Sequence, residues 1–481
     1  MPISSIEAIV DSLGIILIGA GLVVPTIDYG LKVKVSKYAS LAATAVAIIL
    51  SAILLSLTLN QGASTIYNNA LKIDSYGAFL FLIVSIVSFV VSLASFRQTK
   101  GWTTAPSFFS LLLIITAGVY FLISVNDLVL LLAAWSLVSV GAYALVAMKK
   151  DEASLEGASK YAIMGVTASV FLMFGIFLLI GLTGTTTNLT TMAQVATTAN
   201  LPLTLIAIIM ITVGIGFKIG IVPFHGWLPD VYGGVNSITV SFVSTVLKVA
   251  GVLALFRILY PFAAVLGDKW LILFSILSIA TMTFGNIAAL IQRNVQRMMA
   301  YSSIAQVGYI LVGFAAATSG AGAAIGEQGI ALHLTTYVLA TSGIFIALAY
   351  MTQKGMKTDL NGVSGLWRKM PVLSIGMTVL LLSLIGMPPL LGFWSKFLYL
   401  FISTIQVAPW LSLIAIINTG ISVGYYGQII RAIFLSNPQN ENMQLKESLK
   451  DPEVIAIIIA MSLTIILGLG LAPIIAQRLT I

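Results

Sequence analysis

Three lysines lie within long apolar stretches of the sequence: Lys218, Lys248 and Lys396. A charged lysine at the centre of a membrane helix costs about 2.5–3.5 kcal/mol, so each side chain needs a polar partner or must snorkel to the membrane interface. Snorkelling remains an alternative for Lys218 and Lys396. Lys248 lies about 15 Å or more from either end of a predicted helix, which is too deep for that. A buried amine can exchange between its neutral and charged forms, and a proton relay requires this property.

Both histidines and one glutamine are further candidates for a relay. His225 lies in a run rich in proline and glycine, where its ring could hand protons to a cavity or hydrogen-bond to the loop backbone. His333 belongs to a polar stripe with neighbouring hydroxyl residues, which suits a relay or an interhelical hydrogen bond. Gln306 lies in the middle of a predicted helix and could hold a water molecule or bridge helices. Asp127 and Asp230 are interpreted as capping or interface groups.

Two breaks interrupt the apolar stretches that carry the lysines. The run VGIGFKIGIVPFHGWLPDVYGG, from Val213 to Gly234, is broken by prolines and glycines after Lys218, and SLIGMPPLLGFWSKF is broken just before Lys396. In a bilayer, the backbone groups that such a break frees are satisfied only by protein or by a water-filled cavity. The breaks therefore predict an ion path through a bundle of membrane helices.

The composition is that of an integral membrane protein. Of the 481 residues, 59% are hydrophobic and 8% are charged, with a mean hydropathy of +1.06, whereas soluble domains contain about 25% charged residues. Cysteine is absent and there are two histidines, so we expect no thiolate-bound cluster, metal or other redox centre in this chain. The net charge of +8 predicts loops that face anionic lipid, and no basic motif indicates a nucleic-acid partner.

Fourteen membrane spans are predicted by the rule of about 20 apolar residues per crossing. The N-terminus has Glu7 and Asp11 where a cleaved signal would be basic, so we expect the first span to be retained. The twelfth span is long and contains the second break, and we interpret it as one broken crossing. The predicted ranges are 8–27, 38–58, 76–96, 106–124, 127–148, 159–182, 201–221, 236–259, 269–290, 297–317, 329–351, 371–404, 409–434 and 453–475.

The distribution of lysine and arginine predicts the orientation of the chain, with both termini on the outer side. The outer side or its interface then has only Lys72, Arg257, Lys269 and Arg478. Adding or omitting a helix would destroy this asymmetry, which supports the helix count. The seventeen cations of the cytoplasmic loops are Lys32, Lys34, Lys37, Arg97, Lys100, Lys149, Lys150, Lys160, Arg293, Arg297, Lys354, Lys357, Arg368, Lys369, Arg431, Lys446 and Lys450.

An internal repeat recurs at an offset of 166 residues. WSLVSVGAYALVAM, from Trp135, is similar to YSSIAQVGYILVGF, from Tyr301, and both breaks contain P-x-x-G followed by a tryptophan. The repeat predicts two five-helix units, helices 4–8 and 9–13, and because five is odd the second unit is inverted. The predicted organisation is a three-helix segment over 1–104, repeats over 105–262 and 263–436, and a loop with the last helix over 437–481.

The runs GFKIGIVPFHGWLPDVYGG, STVLKVAG, RNVQRMMAYSSIAQVGY and SLIGMPPLLGFWSKF resemble the antiporter-like proton-pumping subunits of respiratory complex I. The tripeptide DVY before Gly233 is more similar to the N-type subunit than to the L- and M-type subunits or to the multisubunit Na⁺/H⁺ antiporters. The resemblance implies fourteen helices with two inverted repeats. It also implies that Lys218, Lys248 and Lys396 form a mid-membrane proton relay driven by quinone reduction in other subunits.

Two positions depart from the family pattern. The family has a glutamate on the fifth helix that is thought to pair with the lysine corresponding to Lys218, and here that position is Ser136. Gln306 stands where the family often has a histidine or another polar residue. Three interpretations are open: a pump whose relay runs through Ser136 and water, a subunit that transmits coupling without moving a proton, or a carboxylate supplied by another helix or subunit.

The main hypothesis is a subunit of a proton-translocating complex I-type quinone oxidoreductase in the cell membrane. The resemblance implies neighbouring M-type and small K/J-type subunits, contact with membrane lipid, and quinone, flavin and iron–sulfur clusters in partner subunits. The alternatives are a subunit of a cation/proton antiporter or membrane-bound hydrogenase, and a structural spacer that moves no proton. Whether the ion is H⁺ or Na⁺, and which electron donor is used, are not determined by the sequence.

Overall fold

The computed structural model describes residues 5–31, 34–184, 186–195, 201–318, 320–437 and 447–479. Thirteen helices in these ranges are long and apolar enough to cross a membrane. Two shorter apolar helices form one further broken crossing, so the predicted all-α membrane fold is confirmed. Lys32 and Lys446, two cations of the predicted cytoplasmic side, lie outside the described residues.

We number the crossings in chain order, with the broken one as α12. They are α1 (Ser5–Leu31), α2 (Ser36–Gln61), α3 (Ser75–Gln98), α4 (Ala105–Ser124), α5 (Leu128–Ala147), α6 (Glu152–Leu182), α7 (Leu201–Ile219), α8 (Ser237–Leu266), α9 (Asp268–Leu290), α10 (Val295–Thr318), α11 (Gly322–Gln353), α12 (halves Pro371–Ile385 and Leu391–Ser403), α13 (Pro409–Leu435) and α14 (Pro452–Ala476).

A small β-hairpin at one end of the bundle was not predicted. Its strands, β1 (Ser64–Ile66) and β2 (Leu71–Ile73), pair antiparallel between α2 and α3. The turn places Tyr67, Asn68 and Asn69 at positive φ, a conformation that asparagine tolerates better than most residues. We call this end of the bundle the hairpin side. Short helices also cover Leu189–Val195 and Leu228–Gly234.

Polar caps fix where several helices begin. Asp74 accepts a hydrogen bond from the Gly77 amide at the start of α3, and Asp127 accepts two from the first turn of α5. Such caps satisfy amides that have no partner within the helix. Asp127 is therefore a capping residue, as the sequence indicated.

The core lies around α10 and α11. In the most apolar 18-residue window of each helix, all residues of α11 and 94% of those of α10 are buried, compared with 28% of those of α1. A helix buried on every side can carry polar side chains only if other protein groups satisfy them. This is the position of His333 on α11 and of Gln306 on α10.

Candidate functional site

Lys218 lies in the last turn of α7, just before the first break. The helix ends at Ile219, and Gly220 follows at φ +87°. The indole of Trp227 donates a 2.8 Å hydrogen bond back to the Phe217 carbonyl, which holds the break against the helix end. The Lys218 side chain is buried, and the last carbonyls of a helix favour a cation there.

Lys218 is held by one hydroxyl and a set of aromatic rings. Its Nζ donates to Ser139 Oγ at 3.1 Å, and it lies 5.0 Å from the ring centres of Tyr143 and Tyr161 and 5.8 Å from that of Trp135. Aromatic faces attract cations at these distances. We call these four residues the Lys218 cage. Among the described residues, no carboxylate forms an ion pair with Lys218.

Ser136, the position where the family has its glutamate, does not belong to this cage. It is exposed on α5, and its hydroxyl bonds to the Leu132 carbonyl at 2.8 Å. The cage residue Ser139 was missed by the sequence analysis. Trp135, Ser139 and Tyr143 recur every four residues and so share one face of the helix, a signal that could have revealed the cage.

Lys248 is buried on α8, where it meets α10 and α11. Its Nζ donates to the Ser303 carbonyl at 2.9 Å and also bonds to the Ser303 hydroxyl. The Tyr337 ring centre lies 4.9 Å away. The Tyr337 hydroxyl bonds to Ser303 Oγ at 2.6 Å and to the carbonyl of Ser244 at 2.8 Å. Three helices thus share one hydroxyl-rich site around the lysine.

Gln306 and His333 form a second polar site beside it. The Gln306 amide nitrogen lies near two acceptors, the Tyr426 hydroxyl at 3.0 Å and the Leu384 carbonyl at 3.4 Å, while its oxygen faces His333 Nε2 at 2.9 Å. In a neutral ring, His333 Nε2 is therefore the donor, and Nδ1 is an acceptor that faces the Ser395 hydroxyl at 3.0 Å. The same hydroxyl also lies 3.2 Å from the Gly392 carbonyl.

Lys396 lies just after the second break, on a turn with π-helical geometry. Its Nζ donates to the Leu384 carbonyl at 2.7 Å, and the Tyr309 ring centre lies 4.0 Å away. Leu384 is in the last turn of the first half of α12. The lysine thus satisfies a free carbonyl at the negative end of a half-helix.

The Lys248 and Lys396 sites are almost joined by hydrogen bonds. Ser302, next to the Lys248 partner Ser303, bonds to the Tyr426 hydroxyl at 2.5 Å. Tyr426 bonds to Gln306, which reaches the same Leu384 carbonyl as Lys396. The one step without a side-chain hydrogen bond lies between the two adjacent serines. We call this connection the central polar chain.

Two candidates lie outside the central polar chain. His225 is half-buried in the first break, with its ring 4.3 Å from that of Phe284, and none of the hydrogen bonds of the three lysines reaches it. Lys218 has its own cage, and no hydrogen bond of the described residues links it to Lys248. In the described part of the chain, no group of three or more histidines and carboxylates could hold a metal ion.

Residues 125–422 match the family described as NADH:quinone oxidoreductase/Mrp antiporter, TM. The chain belongs to this family. Subunit N of the F(420)H(2) dehydrogenase of Methanosarcina mazei is 34% identical over 420 residues, covering 85% of this chain and 84% of that protein. NADH-quinone oxidoreductase subunit N of Desulforamulus reducens is 32% identical over 416 residues, covering 86% and 85%. The resemblance to N-type subunits is thereby confirmed.

A solved structure shows the same architecture. A chain of respiratory complex I from Thermus thermophilus with bound aureothin superposes with a TM-score of 0.77 at 28% identity, covering 97% of this chain and 98% of that one. The match therefore spans nearly the whole of both chains.

Proposed function

We propose that this chain is a proton-translocating membrane-arm subunit of a complex I-type quinone oxidoreductase. The observation that carries the proposal is the central polar chain between Lys248 and Lys396. Buried ionisable groups in a membrane bundle are costly and mark ion paths by default. Here two of them lie at opposite ends of a polar chain that is interrupted only between Ser302 and Ser303. The names of the relatives, which are subunits of F(420)H(2) and NADH dehydrogenases, support the assignment to a redox-driven complex.

In this proposal, Lys248 and Lys396 are the two proton-carrying sites. Each ammonium is stabilised by backbone carbonyl oxygen and an aromatic face, without a carboxylate partner. A carboxylate partner would favour the charged lysine more strongly. Carbonyls and hydroxyls stabilise the charged lysine less, so that it can release a proton when a neighbouring charge or hydration changes.

His333 and Gln306 have different roles. An imidazole can accept a proton at one nitrogen and release it from the other. An amide does not carry a proton in this way, so Gln306 acts as a positioning residue that fixes the tautomer of His333. Tyr426 and Ser302 have hydroxyls that both donate and accept and therefore extend the relay toward Lys248. Because Gln306 lies between Tyr426 and His333, transfer past it requires water.

Lys218 completes the relay in this proposal, together with water. Because no hydrogen bond of the described residues links Lys218 to Lys248, transfer between them requires water or a movement at the first break. Ser136 and His225 remain candidate positions at the edge of this path. Ser136 is exposed and His225 is half-buried, so neither lies between the lysines in the interior of the bundle.

The electron-transfer chemistry belongs to partner subunits. We assign quinone, flavin and iron–sulfur clusters to them, with M-type and small K/J-type subunits as neighbours in the membrane. The relatives are named for two different electron donors, which fits a membrane subunit that never contacts the donor. The same proposal includes the division into a three-helix segment and two inverted repeats. It also places the chain in the cell membrane with both termini on the outer side.

The test is proton pumping by the whole reconstituted complex, measured as protons moved per electron pair. Lys248→Ala and Lys396→Ala are expected to lower this ratio while the complex still assembles. Lys269→Ala, at an exposed lysine on the hairpin side, is the control and should leave it unchanged. An unchanged ratio in both test variants would show that this chain is a spacer. Ion movement without quinone reduction would favour an antiporter.

A further inference from the structure

A narrow apolar crevice lies on the outer surface of the bundle, away from the central polar chain. Its volume is about 300 Å³, and α2, α3, α11 and α14 form its walls. Leu59 and Ile474 at its rim are exposed, so it opens toward the surroundings of the bundle. Its walls include Leu59, Phe79, Ile83, Leu339, Leu463 and Ile474.

The crevice has the length and the position of one leaflet of a bilayer. Along α14 its wall runs from Leu463 to Ile475, a rise of about 18 Å, whereas half of a hydrocarbon core is about 15 Å. It ends at Arg478, two residues beyond the end of α14 and next to Ser75, whose hydroxyl bonds to the Arg478 carbonyl. The end of the crevice at Leu463 therefore lies toward the middle of the membrane, and the end at Arg478 lies at the interface of the hairpin side.

Arg478 gives this interface a positive charge that the described residues do not neutralise. Its side chain is exposed, and no carboxylate of the described residues forms an ion pair with it. A lone arginine at a helix end commonly only snorkels to the interface. Here it stands at the mouth of an apolar crevice, where a lipid phosphate would lie if an acyl chain filled the space behind it.

The geometry points to a lipid site: we propose that the crevice binds one acyl chain of an anionic phospholipid from the hairpin-side leaflet, with the phosphate at Arg478. The apolar walls offer water no hydrogen-bond partners, so hydrocarbon is the occupant that matches them. Basic residues at the ends of crevices between membrane helices are suited to anionic headgroups. The proposal therefore rests on shape, depth and charge together.

An occupied crevice would also support the break beside Lys396. Leu467 lines the crevice and begins the kink of α14, in which Gly470 has a φ of +120°. The carbonyl of Gly468, the residue after Leu467, accepts a 2.7 Å hydrogen bond from the indole of Trp394. A Cβ at Gly468 would lie 2.4 Å from the Pro389 carbonyl oxygen, so the kink of α14 is pressed directly against the break of α12.

Photolabelling tests the site without measuring pumping. The purified complex is placed in vesicles with phosphatidylglycerol that carries a diazirine near the end of one acyl chain, and the labelled peptides are identified by mass spectrometry. We expect labels on α3 and α14 at the crevice. Leu463→Trp, which fills the crevice, should abolish them, whereas Leu469→Trp, at a residue that is 66% exposed, should not.

The charge is tested separately. Arg478→Gln should reduce labelling by phosphatidylglycerol about fivefold, the factor that one basic residue contributes near an anionic surface. It should reduce labelling by phosphatidylcholine less, because choline offsets the charge of that lipid's phosphate. Lys269→Gln is the control. Equal labelling by both lipids in the native complex would overturn the headgroup assignment. Absence of crevice labels, or protection by a neighbouring subunit, would overturn the lipid site itself.

The effect on the α12 break rests on the proposed function. In phosphatidylglycerol vesicles, Arg478→Gln should lower the proton-to-electron ratio while quinone reduction continues. If labelling falls but the ratio does not, the link to Lys396 is wrong. If the native complex does not pump at all, the proposed function fails, while the photolabelling result still decides the lipid site.

Discussion

At the scale of single residues, the surroundings of Lys218 replace a carboxylate with a hydroxyl and aromatic rings. Exposed cation–π contacts contribute about 0.5–1 kcal/mol each, and desolvated ones about 2 or more. Three such rings together with Ser139 offset much of the cost of burying the ammonium. The missing glutamate of the family therefore does not leave Lys218 without support.

Removing the one hydroxyl of the cage should have a measurable effect. Ser139→Ala leaves Lys218 Nζ without its hydrogen-bond partner, and a lost hydrogen bond to a charged group costs about 1.5–3 kcal/mol. We expect a lower proton-to-electron ratio in vesicles. Ser136→Ala is the matched comparison three residues earlier and should lower the ratio less, because the Ser136 hydroxyl bonds to the Leu132 carbonyl and not to Lys218. A larger effect at position 136 than at position 139 would show that the relay follows the family position after all.

At the scale of helices, close contacts between glycines and backbone fix α9 against α10. A Cβ on Gly308 would lie 2.4 Å from the Met282 amide nitrogen, and one on Gly285 would lie 2.5 Å from that of Ala305. Membrane helices have little hydrophobic force between them, so such close packing holds them together. It also fixes Gln306 and Ser303, which lie on the same helix as Gly308.

Gly308→Val should separate these helices. Overpacking typically costs about 1–3 kcal/mol, and we expect a lower Tm of the detergent-solubilised protein together with reduced pumping. Gly427→Val makes the same chemical change where no atom lies within 4 Å of the added Cβ. Equal Tm values for the two variants would contradict the close packing.

A polar cluster at the start of α14 predicts a dependence on pH. Asp451 pairs with Arg97 and accepts a 2.8 Å hydrogen bond from Tyr350. Partial burial would raise the pKa of Asp451, but the hydrogen bonds from Tyr350 and Arg97 outweigh it and hold the pKa below its usual range. Its stabilising contribution is therefore present above the unfolded-state value, about pH 4, and is lost as pH falls through the lower folded-state pKa.

Asp451→Asn tests this contribution through Tm measured between pH 6 and pH 3. The native chain should lose stability below about pH 4. At pH 6 the variant should be less stable than the native chain by up to about 1 kcal/mol, because the pair is partly exposed. Its Tm should then fall less steeply as the pH is lowered. Asp359→Asn, another loop aspartate, serves as the control. Parallel curves for the native chain and Asp451→Asn would rule out the contribution.

At the scale of the whole molecule, a buried ion pair ties the N-terminal three helices to the rest of the bundle. The Arg257 guanidinium on α8 donates to both oxygens of Asp74 at 2.8 and 2.7 Å, at the start of α3. Both side chains are buried. Arg257 was counted among the charges of the outer side, and only the structure shows that it faces inward to a carboxylate.

Breaking this pair should weaken the whole assembly. Asp74→Asn keeps an N-cap but leaves the Arg257 charge uncompensated, which costs about 3–5 kcal/mol at a buried site. We expect loss of the folded subunit, measured as its yield in the purified complex and its Tm. The double variant Asp74→Asn with Arg257→Leu should recover part of it. Asp230→Asn, in an exposed pair with Lys160, should cost about 1 kcal/mol or less.

The sequence by itself determined the class of protein, the crossings, the two breaks and the three lysines. Hydrophobic stretches of about 20 residues and the breaks caused by proline and glycine are local properties, so they can be read along the chain. The family was also within reach, because its motifs are contiguous runs around those breaks. The β-hairpin escaped because its strands are only three residues long.

Only the tertiary structure decided which polar groups meet. Ser139 and Ser303 lie 79 and 55 residues from their lysine partners, Lys218 and Lys248. Tyr426 lies 120 residues from Gln306, whereas Leu384 and Lys396 are only 12 residues apart. Side-chain direction on a buried helix depends on how neighbouring helices pack, and no periodicity specifies that for a helix that is apolar all round. For the same physical reason, Ser136 matches the family position while Ser139 makes the contact.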